Sequence, residues 1–170
     1  RTGELVIAVA DDLGDEVGFA RVPTRGGVFV GVDQVVRHRR CECSVQIAGV
    51  GVGGKGRGDI ASTSVGQAVV AICDVDDRML AASASLYPSA KRYNDWRRLL
   101  DQKDIDAVTV STPDHMHAPI AVSAMQRGKH VYVQKPLAHT LYEARQMRLI
   151  AKKHGVVTQM GNQGHSGTGY

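Results

Sequence analysis

Six residues, Gly51-Val52-Gly53-Gly54-Lys55-Gly56, follow the apolar run Val45 to Val50 and match the spacing G-x-G-x-x-G. In a phosphate-holding loop each glycine meets a separate demand: a tight turn, close backbone approach to a pyrophosphate, and close packing of a helix on a strand. A helix that starts there turns its free N–H groups toward the phosphates. Taken alone, the pattern also describes a flexible turn. Its context is more specific, because a strand pattern precedes it, a helix pattern follows, and Asp74 ends the next apolar run. Asp74 lies 21 positions beyond Gly53 (74 − 53), close to the ~20 expected for a ribose-binding carboxylate. The plainer role for Asp74 is a helix cap. The constellation as a whole predicts dinucleotide binding. A carboxylate accepts from both ribose hydroxyls and repels a 2′-phosphate, so NAD is favoured over NADP. Arg78 keeps NADP as the lesser alternative, since a nearby Arg could pair with that phosphate.

Other residues invite metal chemistry. His115 and His117 form an H-x-H pair after Pro113. On a strand, alternate residues share a face and two imidazoles could grip a metal. Here they are expected in a loop, and no third ligand stands out among His130, His139 and His165. Cys41-Glu42-Cys43 has no second pair nearby to complete a four-ligand site. No metal site is predicted. Three cysteines, an odd set, argue against a secreted disulfide framework.

The elements that must position these residues read as follows. From Val45 onward short β-rich runs alternate with helical patterns, the signature of βαβ units and a parallel sheet. Strands are expected at Val45 to Val50, Ala68 to Cys73, Ala107 to Ser111, Val131 to Val133 and Val156 to Met160. Helices are expected from Gly54 to about Ser62, from an Asp76 or Asp77 cap to Leu86, over Asp95 to Leu100, and from about Ala118 to a stop at Gly128. Thr140 and Glu143 have capping-box spacing. Behind them Leu141, Ala144, Met147 and Ile150 share an expected apolar face, and Lys152, Lys153 and His154 suit the helix's C-terminal dipole. The fold class is α/β, a doubly wound parallel sheet of Rossmann type over residues 45–170. Residues 1–44 are an N-terminal extension of unassigned role, whose apolar stretches Leu5 to Ala10 and Val28 to Val36 could form a hairpin or added strands.

The chain has 170 residues, 43% hydrophobic and 22% charged, an ordinary globular composition for one such domain. The net charge of +4 includes the basic run Arg37 to Arg40. No aromatics interleave with that run to stack bases, so no nucleic-acid partner is expected. No apolar run approaches the ~20 residues of a membrane span. A cytoplasmic location is expected, with export to the periplasm the alternative if an upstream signal precedes Arg1.

In order, Gly51 to Gly56, Cys73-Asp74-Val75-Asp76, Thr112-Pro113-Asp114-His115-Met116-His117, Gly128-Lys129-His130-Val131 and Gln134-Lys135-Pro136-Leu137 resemble the Gfo/Idh/MocA oxidoreductases. The closing run Gln159 to Ser166 is similar to a bacterial subgroup that often carries export signals. The resemblance implies an N-terminal Rossmann domain and a sugar or polyol substrate. It also implies a C-terminal substrate domain that supplies the proton acceptor and is expected to be missing from this chain, leaving it incomplete as an enzyme. Homo-oligomers are expected at full length. By position, Lys135 takes the catalytic role of the family's Glu-Lys-Pro motif, hydrogen-bonding the reacting hydroxyl as hydride passes to nicotinamide. Gln134 departs from that motif by lacking the carboxylate that would hold the ammonium. Thr112, Pro113 and His117 match the loop beside the cofactor, with Asp114 in place of the usual Asn. Three alternatives stand beside the dehydrogenase: a glycosidase that recycles its bound NAD, a nucleotide-sensing module without catalysis, and a metal hydrolase built on the His115 and His117 pair.

Overall fold

The computed structural model describes residues 5–10, 17–22 and 44–162, in two units, Arg1–Ser44 and Val45–Tyr170. In the first unit β1 (Leu5–Ala10) pairs antiparallel with β2 (Val17–Val22). The Val28 to Val36 run lies outside the described residues, as do Cys41 and Cys43.

The second unit runs β3 (Gln46–Val50), α1 (Gly54–Thr63), β4 (Ala68–Cys73), α2 (Asp77–Leu86), β5 (Lys91–Tyr93) and α3 (Trp96–Leu100). It continues with β6 (Ala107–Val110), α4 (Asp114–Gln126), β7 (His130–Gln134), α5 (Leu141–His154) and β8 (Thr158–Gly161). The sheet is parallel throughout in the order β5-β4-β3-β6-β7-β8. Strand order reverses between β3 and β6, so the connections leaving those two strands diverge and open a crevice at their carboxyl ends.

Both faces of the sheet are covered, which is why its strands read as near-continuous apolar runs. Ala48, Val50, Val108, Val110, Val131 and Val133 pack with Leu99 and Leu100 of α3, Ile120 and Met125 of α4, and Met147 of α5. Ile72 and Val52 instead pack with Ile60 of α1 and Leu80 and Ala84 of α2. This is the doubly wound Rossmann architecture.

Short polar side chains start the helices. Asp76 accepts from the Arg78 N–H at 2.9 Å and Asp95 from the Arg97 N–H at 2.9 Å. At α5 the capping box forms: Thr140 Oγ1 accepts from the Glu143 N–H at 3.2 Å, and Glu143 Oε2 accepts from the Thr140 N–H at 2.8 Å. Gly155 ends that helix at φ 62°. Three expectations change. β5 is an extra edge strand, its Lys91-Arg92-Tyr93 too short and polar to carry a strand pattern. Leu141 is 92% exposed, so the apolar face of α5 begins deeper in the helix, at Met147. And α4 starts at Asp114 rather than near Ala118, with Pro113 before it and Pro119 inside.

Two buried polar groups make predictions. Lys129, 5% exposed, donates from Nζ to the carbonyls of Gln102 (2.9 Å) and Ile105 (3.1 Å), tying down the connection that leads into β6. Burial pushes its pKa down, against the opposing pull of Asp106. Lys129→Met fills similar space but strands both carbonyls, and denaturant titration should show a loss of about 1–3 kcal/mol. Cys73, at the end of β4, has its thiol pushed up to about 12 by burial, with Asp74 and Asp95 adding to the rise. The reactive thiolate is therefore scarce at neutral and mildly alkaline pH. In a Cys41→Ser/Cys43→Ser variant at pH 8.5, Cys73 should react with a thiol reagent about 10²-fold or more slower folded than unfolded. Comparable rates would show that the thiol is open to solvent.

Candidate functional site

The crevice is built on the turn from β3 into α1. Gly51 has φ 79°, and a Cβ there would lie 2.5 Å from the Ser111 carbonyl oxygen at the end of β6. A Cβ at Gly56 would overlap the Gly51 carbonyl oxygen, so α1 sits directly on the turn. Gly53 occupies the N-cap, no side chain among the described residues caps the helix, and its first turn holds no acidic residue. A Cβ on Gly53 would meet the Met79 side chain of α2, its Cγ at 2.9 Å, whereas Gly54 (φ 45°) borders open space. Lys55 is exposed and pairs with Asp59 one turn along.

Asp74 sits just beyond β4 and reaches back to the loop. Its Oδ2 accepts from the Gly53 N–H and its Oδ1 from the Asp76 N–H, each at 3.0 Å. The carboxylate thus links the glycine loop to the approach of α2, where Asp76 and not Asp74 is the helix cap. Beside it Asp76 accepts from Arg78 Nε at 3.2 Å and Nη2 at 2.9 Å. That hydrogen bonding holds the Asp76 carboxyl below its usual range.

At the ends of β6 and β7 a second set converges. His115 and His117 belong to the first turn of α4, not to a loop. At 100° per residue, positions two apart face nearly opposite ways, so the two imidazoles share no face. His115 is exposed while His117 is 1% exposed. The ring of His117 bridges two loops: Nδ1 lies 2.6 Å from the Pro136 carbonyl oxygen and Nε2 2.8 Å from that of Thr112. Among the described residues no three His, Cys, Asp or Glu side chains gather as a metal site. Thr112 Oγ1 is buried and has no hydrogen-bond partner among the described residues. Pro113 and Asp114 are exposed at the start of α4.

Gln134 closes β7 and is 6% exposed. Its Nε2 donates to Asp59 Oδ2 at 2.7 Å, and its Oε1 accepts from the Lys135 N–H at 2.8 Å. Lys135 itself is exposed, joined to Pro136 by a cis peptide, and its ammonium pairs with no carboxylate among the described residues. Asp59 is the residue that sequence reasoning missed. It is 3% exposed and accepts from Ser111 Oγ at 2.8 Å, from Gln134 and from Lys55. The available signal was its position four residues after Lys55, the spacing of a helical ion pair.

Relatives of this arrangement are known. A family model described as "Oxidoreductase family, NAD-binding Rossmann fold" matches residues 43–162. A levoglucosan dehydrogenase from Pseudarthrobacter phenanthrenivorans is 35% identical over 86 residues, 51% of this chain and 22% of that protein. A glycosyl hydrolase family 109 protein from Shewanella pealeana is 35% identical over 115 residues, 61% of this chain and 25% of that protein. The crystal structure of myo-inositol dehydrogenase from Lactobacillus casei in complex with NAD(H) and myo-inositol superposes with a TM-score of 0.64 at 31% identity. It covers 69% of this chain and 36% of that one. The chain therefore spans little more than a third of the length of these proteins at most. With the family model covering most of its length, and a six-stranded sheet whose order reverses beside the glycine turn, the chain belongs to the Gfo/Idh/MocA oxidoreductase family, through its NAD-binding Rossmann fold.

Proposed function

We propose that this chain binds NAD in preference to NADP and serves hydride transfer between that cofactor and a sugar or polyol. The observation that carries the reading is the meeting, where strand order reverses, of an α1 N-terminus that no side chain among the described residues caps with an Asp74 carboxylate bonded to its Gly53 N–H. An uncapped helix N-terminus is a ready anion site. Two further features fit a dinucleotide: the open space beside Gly54 and the unused hydroxyl of Thr112. On this reading Gly51, Gly53, Gly54, Lys55 and Gly56 line the pyrophosphate and Asp74 meets the ribose. Thr112, Pro113, Asp114, His117, Gln134 and Lys135 border the nicotinamide end.

NAD, when bound, supplies the hydride acceptor or donor. The chain's own part is to orient and to stabilise charge. His117 holds the Thr112 and Pro136 backbones together, fixing the two loops between which the reacting carbon would lie. The exposed Lys135 hydrogen-bonds the reacting hydroxyl and stabilises its developing negative charge. The preference for NAD rests on charge. A 2′-phosphate near Asp74 would meet the Asp76 carboxylate as well, and Arg78, the cation that could offset it, is already engaged by Asp76. The substrate class rests on the similarity to levoglucosan and myo-inositol dehydrogenases.

The similarity to a glycosyl hydrolase family 109 protein supports a second reading, glycoside cleavage with a bound cofactor that is oxidised and reduced in turn. Release of free sugar with no net NADH would mark it.

Calorimetric titration of this chain should give tighter binding of NAD than of NADP, and Asp74→Ala should narrow that difference. Equal affinities in the unmutated protein would overturn the preference. In a polypeptide that joins this chain to a substrate domain, Lys135→Met should cut turnover about 10²-fold or more, the scale of losing a donor to developing charge. NAD affinity should barely move in the same variant. Intact turnover would remove Lys135 from the chemistry.

A further inference from the structure

Asp59 is a carboxylate buried on α1, and such a group is strongly destabilising unless donors surround it. Here three elements supply them: Lys55 from α1, Ser111 from the end of β6 at 2.8 Å, and Gln134 from the end of β7 at 2.7 Å. The last contact has a directional consequence. A primary amide has one donor end and one acceptor end. Because Asp59 Oδ2 only accepts, Gln134 must turn Nε2 toward it. Its Oε1 then faces the other way and accepts from the Lys135 N–H at 2.8 Å. Were the amide reversed, two donors would oppose each other at Lys135 and two acceptors at Asp59. Gln134 is buried and cannot satisfy itself with water instead.

We propose that Asp59 is a positioning residue, which dictates the orientation of the Gln134 amide and through it fixes the backbone at Lys135. The proposal rests on the reading that Lys135 faces the nicotinamide end of bound NAD. It accounts for how a strand end carrying Gln rather than Glu keeps a defined geometry: the negative charge sits one helix away, on α1, and the amide relays it. It also ties the glycine loop to the same carboxylate, through Lys55.

The test exchanges the charge between the two positions. Asp59→Ala removes the acceptor that sets the direction of the Gln134 amide. Gln134→Glu sets two carboxylates against each other at a separation where both cannot stay ionised without cost. In the double variant Asp59→Asn/Gln134→Glu, the amide introduced on α1 donates to the carboxylate introduced at the end of β7. The other oxygen of that carboxylate accepts from the Lys135 N–H, and Ser111 Oγ, which donates to Asp59 in the parent, turns to accept from the second N–H of the introduced amide. Two readouts are taken on the whole chain: the NADH dissociation constant, and the resonance and exchange rate of the Lys135 amide proton. Each single variant should weaken NADH binding by about 10-fold or more, the scale of losing a hydrogen bond to a charged group. Each should also shift the Lys135 amide and speed its exchange. The double variant should return NADH binding to within about 3-fold of the parent and restore the amide signal, as coupled neighbours do in a double-mutant cycle. An unchanged Lys135 amide in the single variants would overturn the proposal, as would a double variant no better than Gln134→Glu. If Asp59→Ala fails to fold, the comparison of Gln134→Glu with the double variant decides alone. If the unmutated chain binds no NADH, the cofactor reading fails while the Lys135 amide still decides the role of Asp59.

Discussion

The absence of room for two Cβ atoms governs the rest of the site. At Gly51 a side chain would run into the Ser111 carbonyl, and at Gly56 into the Gly51 carbonyl. Removing both lets α1 start within one turn of β3 and brings its second turn over the end of β6. Only then can Asp59 reach Ser111 and Gln134, and only then does the helix N-terminus point into the crevice where strand order reverses. A larger residue at either position would lift α1 and separate groups that lie far apart in the chain.

The two carboxylates nearest the crevice are held in different ways, and their surroundings explain it. Asp74 is half-buried and accepts from two backbone N–H groups, so it organises loop backbone while each oxygen retains a further lone pair. Asp59 is buried and takes its donors from side chains on three elements. A backbone-bonded carboxylate follows its own loop. A side-chain-bonded one couples elements, and that coupling is what joins α1 to the ends of β6 and β7.

His117 shows how a buried polar side chain can organise backbone around a site. With both ring nitrogens against carbonyl oxygens, it pins the start of α4 to the loop after β7. The early start of α4 makes this possible. Pro119 suggested a first-turn position, since proline suits the first turn, where its missing N–H has no intrahelical partner. The helix instead begins at Asp114 and accommodates Pro119 inside, because the contact of His117 with Pro136 and the packing of Ile120 and Met125 against the sheet outweigh one lost backbone bond. Tertiary contacts of that kind leave no mark in a local pattern.

From the sequence alone came whatever depends on short-range pattern. The alternation of apolar runs with helical periodicity implied a parallel sheet covered on both faces. The spacing of Gly51, Gly53 and Gly56 from Asp74 implied a phosphate-holding turn followed by an acidic strand end. Thr140 with Glu143, and Gly155 after His154, marked the ends of α5 correctly because caps are made within a few residues. Tertiary structure alone decided the long-range matters: which strand lies at the reversal point, that Gly53 faces Met79 on another helix, and that Leu141 points to solvent although its spacing suits a buried face. It also decided that Gln134 and Asp59, 75 residues apart, share a hydrogen bond. Periodicity reports which face a residue occupies on its own element, but the partner across the gap is chosen by how elements pack, and no local pattern encodes that choice.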